Sequence, residues 1–178
     1  LLIFQESALF PWLTVFDNVA YGLKLRHTPK DKCVRLVDSY LELVGLSHFK
    51  KAYIHQLSGG MKQRVALARA LVLDPEILLM DEPFAALDIK TRKDMYQLLL
   101  KVWKETGKTI LFITHNVDEA LLLSSRVVVM SSRPGLIKRE YRLAMGYPRI
   151  MESASLQKIR SEILQAFADN PASEVQGG

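Results

Sequence analysis

The 178 residues are 49% hydrophobic and 24% charged, the balance of a globular protein rather than a disordered or fibrous one. The net charge of +5 is scattered over residues such as Arg26, Lys50, Arg92 and Lys138, without the basic tract and interleaved aromatics of a nucleic-acid surface. No apolar run reaches the ~18–20 residues of a membrane span, and Cys33, the single cysteine, excludes an internal disulfide or a thiolate cluster.

Residues 1–4 read as the end of a buried strand. They carry neither an initiator Met nor a basic leader, so a chain cut off from upstream sequence is expected. Residues 6–14, with Pro11 and Trp12, read as a loop. Over residues 29–46, Val34, Val37, Leu41 and Val44 fall at i, i+3, i+7 and i+10, the stripe of an amphipathic helix. Gly45 is its expected C-cap, Cys33 a small residue within it, and helical character is expected to continue over residues 48–54. Ser58-Gly59-Gly60 punctuates the chain before a long helix to about residue 73, stopped by Asp74-Pro75. Residues 77–80 are wholly apolar, as in a parallel strand buried on both faces.

A helix is predicted over residues 88–105, ended by Gly107, and a second buried strand over 109–114. A short helix follows at Val117–Leu123, then a third strand over 127–130. Arg133-Pro134-Gly135 turns into residues 136–143 as a hairpin. Leu156, Ile159, Ile163, Leu164 and Phe167 mark a terminal amphipathic helix before a polar tail from Asp169. Alternating strands and helices predict an α/β fold with a mostly parallel sheet.

Two segments carry chemistry. The apolar strand before Asp81-Glu82-Pro83 delivers two carboxylates at its C-terminal end, where open α/β sheets hold their ligands. Asp81 suits Mg²⁺, which prefers oxygen donors and keeps part of its water. Glu82 suits orientation or deprotonation of a water. A surface turn with a chance acidic pair is the competing explanation. In Leu57-Ser58-Gly59-Gly60-Met61-Lys62-Gln63-Arg64, glycines at a helix start let backbone N–H groups approach a phosphate. A plain helix N-cap at Ser58 would leave the same pattern.

Taken in order, these residues resemble the ABC ATPase family. Residues 57–64 are similar to its signature motif, 77–82 to its Walker B motif, and Ala86-Leu87-Asp88 to its D-loop. His115 matches the switch histidine and Gln5 the Q-loop glutamine. The resemblance implies a P-loop NTPase fold with a helical signature subdomain at about 15–75, inside a partial ATPase domain over 1–150. A C-terminal helix and tail would occupy 151–178. ATP and Mg²⁺ are the implied cofactors. Glu82, His115 and Gln5 would be catalytic, with His115 at the γ-phosphate. Asp81 and Gln5 would serve the metal, and Ser58, Gly59, Gly60, Gln63 and Asp88 would face nucleotide at a dimer seam. Taken singly, Gln5 would pass for a surface residue, His115 for a structural histidine, and Asp88 for an N-cap.

One departure stands out. The family's Walker A loop is missing: Gly107-Lys108-Thr109 imitates its end, but Val102 holds the earlier glycine position, and the triplet lies between helix and strand rather than strand and helix. The expected fold therefore lacks the N-terminal β-subdomain and the Walker A strand, whose place would be between the strands at 109–114 and 127–130. The chain by itself is expected to be inactive, and its intact parent an ATPase.

Residues 8–19, 81–88 and 129–135 resemble importers of the nitrate, sulfonate and taurine group, with Ala85 where that group usually has Gly. The implied partners are membrane permease subunits, a second ATPase subunit, and indirectly an extracytoplasmic substrate-binding protein; no nucleic acid is implied. The implied location is the cytoplasmic face of the membrane. Pro11, Trp12 and Phe16 are candidates for permease docking, against ordinary core packing. The rival functions are a soluble ABC ATPase of DNA repair or translation and a non-catalytic remnant. About 50 residues between Gln5 and Leu57 leave no room for the coiled coil of the repair type.

Overall fold

A computed structural model describes residues 1–3 and 8–168. Its first unit, Leu1–Ile113, is built on three helices. Helix α1 (Val15–Leu25) starts at Thr14, whose hydroxyl accepts the Asp17 N–H at 3.1 Å, a side-chain N-cap. It buries Val15, Val19 and Leu23, an i, i+4, i+8 stripe. The element-by-element reading of the sequence assigned nothing to this helix, although cap and stripe are both in place.

Helix α2 (Lys30–Leu43) buries Cys33, Val37 and Leu41. Val34 is 38% exposed, so the buried stripe runs through Cys33 and not through Val34 as expected. Gly45, at φ +72° just beyond the Val44 cap, ends the helix in the left-handed conformation that glycine adopts without strain. Residues 48–54 do not continue as α-helix. They form short 3-10 turns at Ser47–Phe49 and Ile54–Gln56, because their carbonyls are used elsewhere. Val15 N–H donates to Ala52 O at 2.9 Å and Phe16 N–H to Lys50 O at 3.0 Å, satisfying donors at the start of α1 that have no intrahelical acceptor.

Helix α3 (Gly59–Leu71) is capped by Ser58 and buries Val65, Leu67, Ala68 and Leu71. It packs against α1 and leads into Leu73, which packs so closely that a Cβ on Gly22 of α1 would lie 2.7 Å from Leu73 Cδ1. Strands β1 (Leu2–Ile3), β2 (Ile77–Asp81) and β3 (Thr109–Ile113) form a parallel sheet in that order, with Leu79 opposite both Leu2 and Leu111. Helix α4 (Ile89–Thr106) is the crossover between β2 and β3, begun by Asp88 and ended by Gly107 at φ +62°. Leu78 and Met80 are buried, but Ile77, Leu79, Leu111 and Ile113 are 38–64% exposed. In this chain helices cover one face of these strands, and the exposed side chains lie on the other.

The second unit, Thr114–Gly178, contains α5 (Val117–Leu123), β4 (Arg126–Met130), β5 (Ile137–Arg142) and α6 (Ala154–Ala168). β4 and β5 pair antiparallel as the expected hairpin, with Val127 opposite Tyr141 and Val129 opposite Arg139. Among the described residues, β4 joins no parallel ladder. Leu121, Val127, Val129, Leu143, Leu156 and Ile163 make one core. The division into compact units falls after Ile113, and α6 shares the core of the second unit. Of the stripe predicted for α6, Leu156 and Ile163 are buried, whereas Leu164 and Phe167 are 43% and 42% exposed. No helix among the described residues is long and apolar enough to cross a membrane.

Candidate functional site

Ser58 takes an extended conformation (φ −66°, ψ 164°) and its hydroxyl accepts the Met61 N–H at 3.3 Å. The N-cap expectation thus holds geometrically, and Ser58 and Gly59 are both exposed. The N–H groups of Gly59 and Gly60 open α3 and have no intrahelical acceptor. The two glycines differ in their surroundings. A Cβ on Gly59 would meet only Leu87 Cδ2 at 3.9 Å, whereas one on Gly60 would lie 2.3 Å from Thr91 Cγ2. Gly60 is buried, so its lack of a side chain lets the start of α3 approach α4.

Gln63, expected to face nucleotide, points inward instead. It is 5% exposed and its Nε2 donates to Pro83 O at 2.7 Å. A buried amide needs partners, and this one finds them in the loop after Asp81-Glu82. In this structure Gln63 ties the start of α3 to the acidic loop.

Asp81 is the last residue of β2, opposite Ile113 of β3. Alternation along the strand puts it on the same open face as Ile77 and Leu79, and it is exposed. Glu82 follows at φ +43°, a left-handed conformation that is uncommon for a residue with a Cβ. Its N–H donates to Ile113 O at 3.0 Å and its carbonyl accepts the Ala85 N–H at 3.3 Å. Below it Phe84 is fully buried and meets Tyr96 edge-on at 5.2 Å. Anchored on both sides, the chain holds two adjacent carboxylates in a fixed turn. Asp81 forms no ion pair among the described residues, which also contain no cluster of three or more His, Cys, Asp or Glu. An exposed carboxylate of this kind fits a hard cation that takes its other oxygens from water and substrate.

Asp88 caps α4: its Oδ1 accepts the N–H groups of Lys90 at 3.1 Å and Thr91 at 3.0 Å. Hydrogen bonds from Thr91 and then Lys90 hold its carboxyl below the usual aspartate range. His115 is exposed and directly precedes Asn116, whose Oδ1 caps α5 by accepting the Asp118 and Glu119 N–H groups at 2.9 and 3.2 Å. Thr114 on its other side donates to Glu119 Oε2 at 2.6 Å and accepts the Asn116 N–H at 3.0 Å. Gln5 lies outside the described residues.

In the aromatic segment, Trp12 is 70% exposed and tilts against Phe10 at 5.7 Å; Phe10 also meets Tyr21 at 4.5 Å. Pro11 is exposed, and Phe16 is half-buried in the wall of an open cleft of about 360 Å³ with Cys33 and Val34. The residue that shapes this loop escaped the sequence reading. Asn18 is fully buried, donates to the carbonyls of Phe10, Leu13 and Thr14 at 3.0–3.3 Å, and accepts the Phe10 N–H at 2.9 Å. An Asn inside an apolar helix stripe was the available signal. Arg149 was also missed.

Residues 1–85 match the family model described as ABC transporter. The taurine import ATP-binding protein TauB of Roseobacter denitrificans is 56% identical over 142 residues, covering 80% of this chain and 53% of the relative. The aliphatic sulfonates import ATP-binding protein SsuB of Bacillus cereus is 49% identical, covering 93% of this chain and 64% of that one. The solved structure of cbiO1 from Clostridium perfringens, part of the ABC transporter complex cbiONQ, superimposes with a TM-score of 0.74 at 31% identity. It covers 93% of this chain and 64% of its own. The chain thus spans between about half and two thirds of the length of these proteins.

Proposed function

This chain belongs to the ABC transporter family, and on that premise we propose that it forms part of an importer's ATP-binding subunit, the part that carries the hydrolytic carboxylates. Glu82 orients or deprotonates the water that attacks ATP, and the left-handed turn after β2 is the observation that carries this reading. Strain of this kind, about 1–3 kcal/mol, persists where surrounding structure over-determines it and clusters at functional sites. Asp81 would hold Mg²⁺, which supplies charge neutralisation on the phosphates. His115 contacts the γ-phosphate, Gln5 the metal or the attacking water. Ser58, Gly59 and Gly60 offer N–H groups and a hydroxyl to nucleotide across a symmetric seam with a second subunit, and Asp88 shapes that seam.

The names of the relatives support import of taurine- or sulfonate-like substrates through membrane permease subunits, supplied by a substrate-binding protein outside. The exposed Trp12, on a loop fixed by Asn18, is the surface for the permease, and the subunit works at the cytoplasmic face of the membrane. Phosphate release from Mg-ATP by the protein expressed from its whole open reading frame tests the reading. Glu82→Gln is expected to lower turnover at least about 100-fold while ATP binding stays within about twofold of the parent. Turnover at the parent rate by this variant would place the base elsewhere.

A further inference from the structure

We propose that Arg149, assisted by Tyr147, is a positioning residue for His115, acting through helix α5. The inference concerns how His115 is held, and it rests on the proposed role of His115 at the γ-phosphate.

Helix α5 has seven residues, about 10 Å of helix, too short to be stable on its own. It must be held from outside at both ends. At its N-terminus Asn116 and Thr114 hold the turn that contains His115. At the other end the last carbonyls need donors, and Arg149 supplies them. Its Nη1 donates to Leu121 O and Ser124 O, both at 2.6 Å. Its Nη2 reaches Leu143 O at 3.3 Å and Met145 O at 3.1 Å, and Nε also reaches Met145 O, at 3.3 Å. All three nitrogens are thus engaged by carbonyls, and the guanidinium forms no ion pair among the described residues. A cation at this end also meets the negative pole of the helix. Tyr147 adds the remaining piece: its hydroxyl donates to Leu123 O at 3.0 Å, and its ring lies 4.3 Å under the guanidinium.

Arg149 therefore ties the end of α5 to the exit of β5. A second tie meets the first turn of α5, where Arg160 of α6 donates to Asp118 at 2.7 Å. With both ends of a rigid seven-residue helix fixed, the backbone that presents His115 has one orientation. Loss of Arg149 frees one end, and the motion is carried to His115.

The test uses the protein from its whole open reading frame with histidine labelled at ¹³Cε1, the His115 resonance being assigned by its loss in His115→Ala. Arg149→Gln is expected to shift or broaden that resonance and to lower kcat about tenfold with KM for ATP changed less than twofold. Arg149→Lys, which keeps the charge with fewer fixed donors, is expected to recover part of both. Tyr147→Phe removes the hydroxyl's bonds to Leu123 O and to Arg149 while leaving the guanidinium on its carbonyls, and should move the resonance in the same direction by less; it decides the matter if Arg149→Gln fails to fold. A lowered melting temperature with an unmoved His115 resonance in the folded variants overturns the proposal. Unchanged turnover in His115→Ala would instead overturn the ATP-site reading of His115, while the resonance measurements still judge Arg149.

Discussion

The two faces of the β1-β2-β3 sheet are both largely apolar in sequence and unlike in surroundings. On one face Leu78 is 0% and Met80 2% exposed; on the other Leu79 is 38%, Leu111 60% and Ile113 64% exposed. Residues one position apart on β2 thus have opposite fates, because successive side chains point to opposite sides of the sheet and helices lie on one side only. The open face is also the one that carries Asp81. Side chains on the covered face are held by packing. The acidic turn is held by a few named ties: the Glu82 N–H on Ile113 and the Gln63 amide on Pro83.

The strongest test of this contrast is Leu78→Ala on the covered face, expected to destabilise the protein by about 2–5 kcal/mol in urea unfolding. A cost below 1 kcal/mol would mean that the covered face is loosely packed and the two faces are alike. A smaller effect is expected where the helical layer meets α4. Gly60→Ala forces a Cβ against Thr91 and should cost about 1–3 kcal/mol. Adding Thr91→Ser removes the colliding methyl and keeps the hydroxyl, so the double variant should recover most of that loss. Without such recovery, the glycine would be required for its backbone and not for close approach. The smallest effect belongs to the open face: Leu111→Thr should stay within about 0.5 kcal/mol. A loss above 2 kcal/mol by the same measurement would show that this face is packed in solution and erase the contrast.

Much of the architecture was legible because its signals are local. The period of α2, α3 and α4, the caps at Ser58 and Asp88, and the stops at Gly45 and Gly107 depend on neighbours within one or two turns. Apolar runs likewise announced β2, β3 and β4, but a run of four or five apolar residues says nothing about which face is covered. Helix α1 carries the same kind of signal in Thr14, Asp17 and the Val15-Val19-Leu23 stripe, but that stripe is short and adjoins a Pro- and Trp-bearing loop.

By itself the sequence determined the order of the motifs, the types of most elements and the family to which the chain belongs. Only the tertiary structure decided where individual side chains go. Gln63 turns inward because a carbonyl twenty positions away accepts its amide. Gly60 is buried because Thr91 of another helix closes on it. The end of α5 is completed by Arg149, twenty-eight positions beyond Leu121, and the shared core of β4, β5 and α6 sets the boundary of the second unit. Periodicity and caps are written by backbone geometry over a few residues. These partnerships exist only once distant segments have been brought within hydrogen-bond or van der Waals reach.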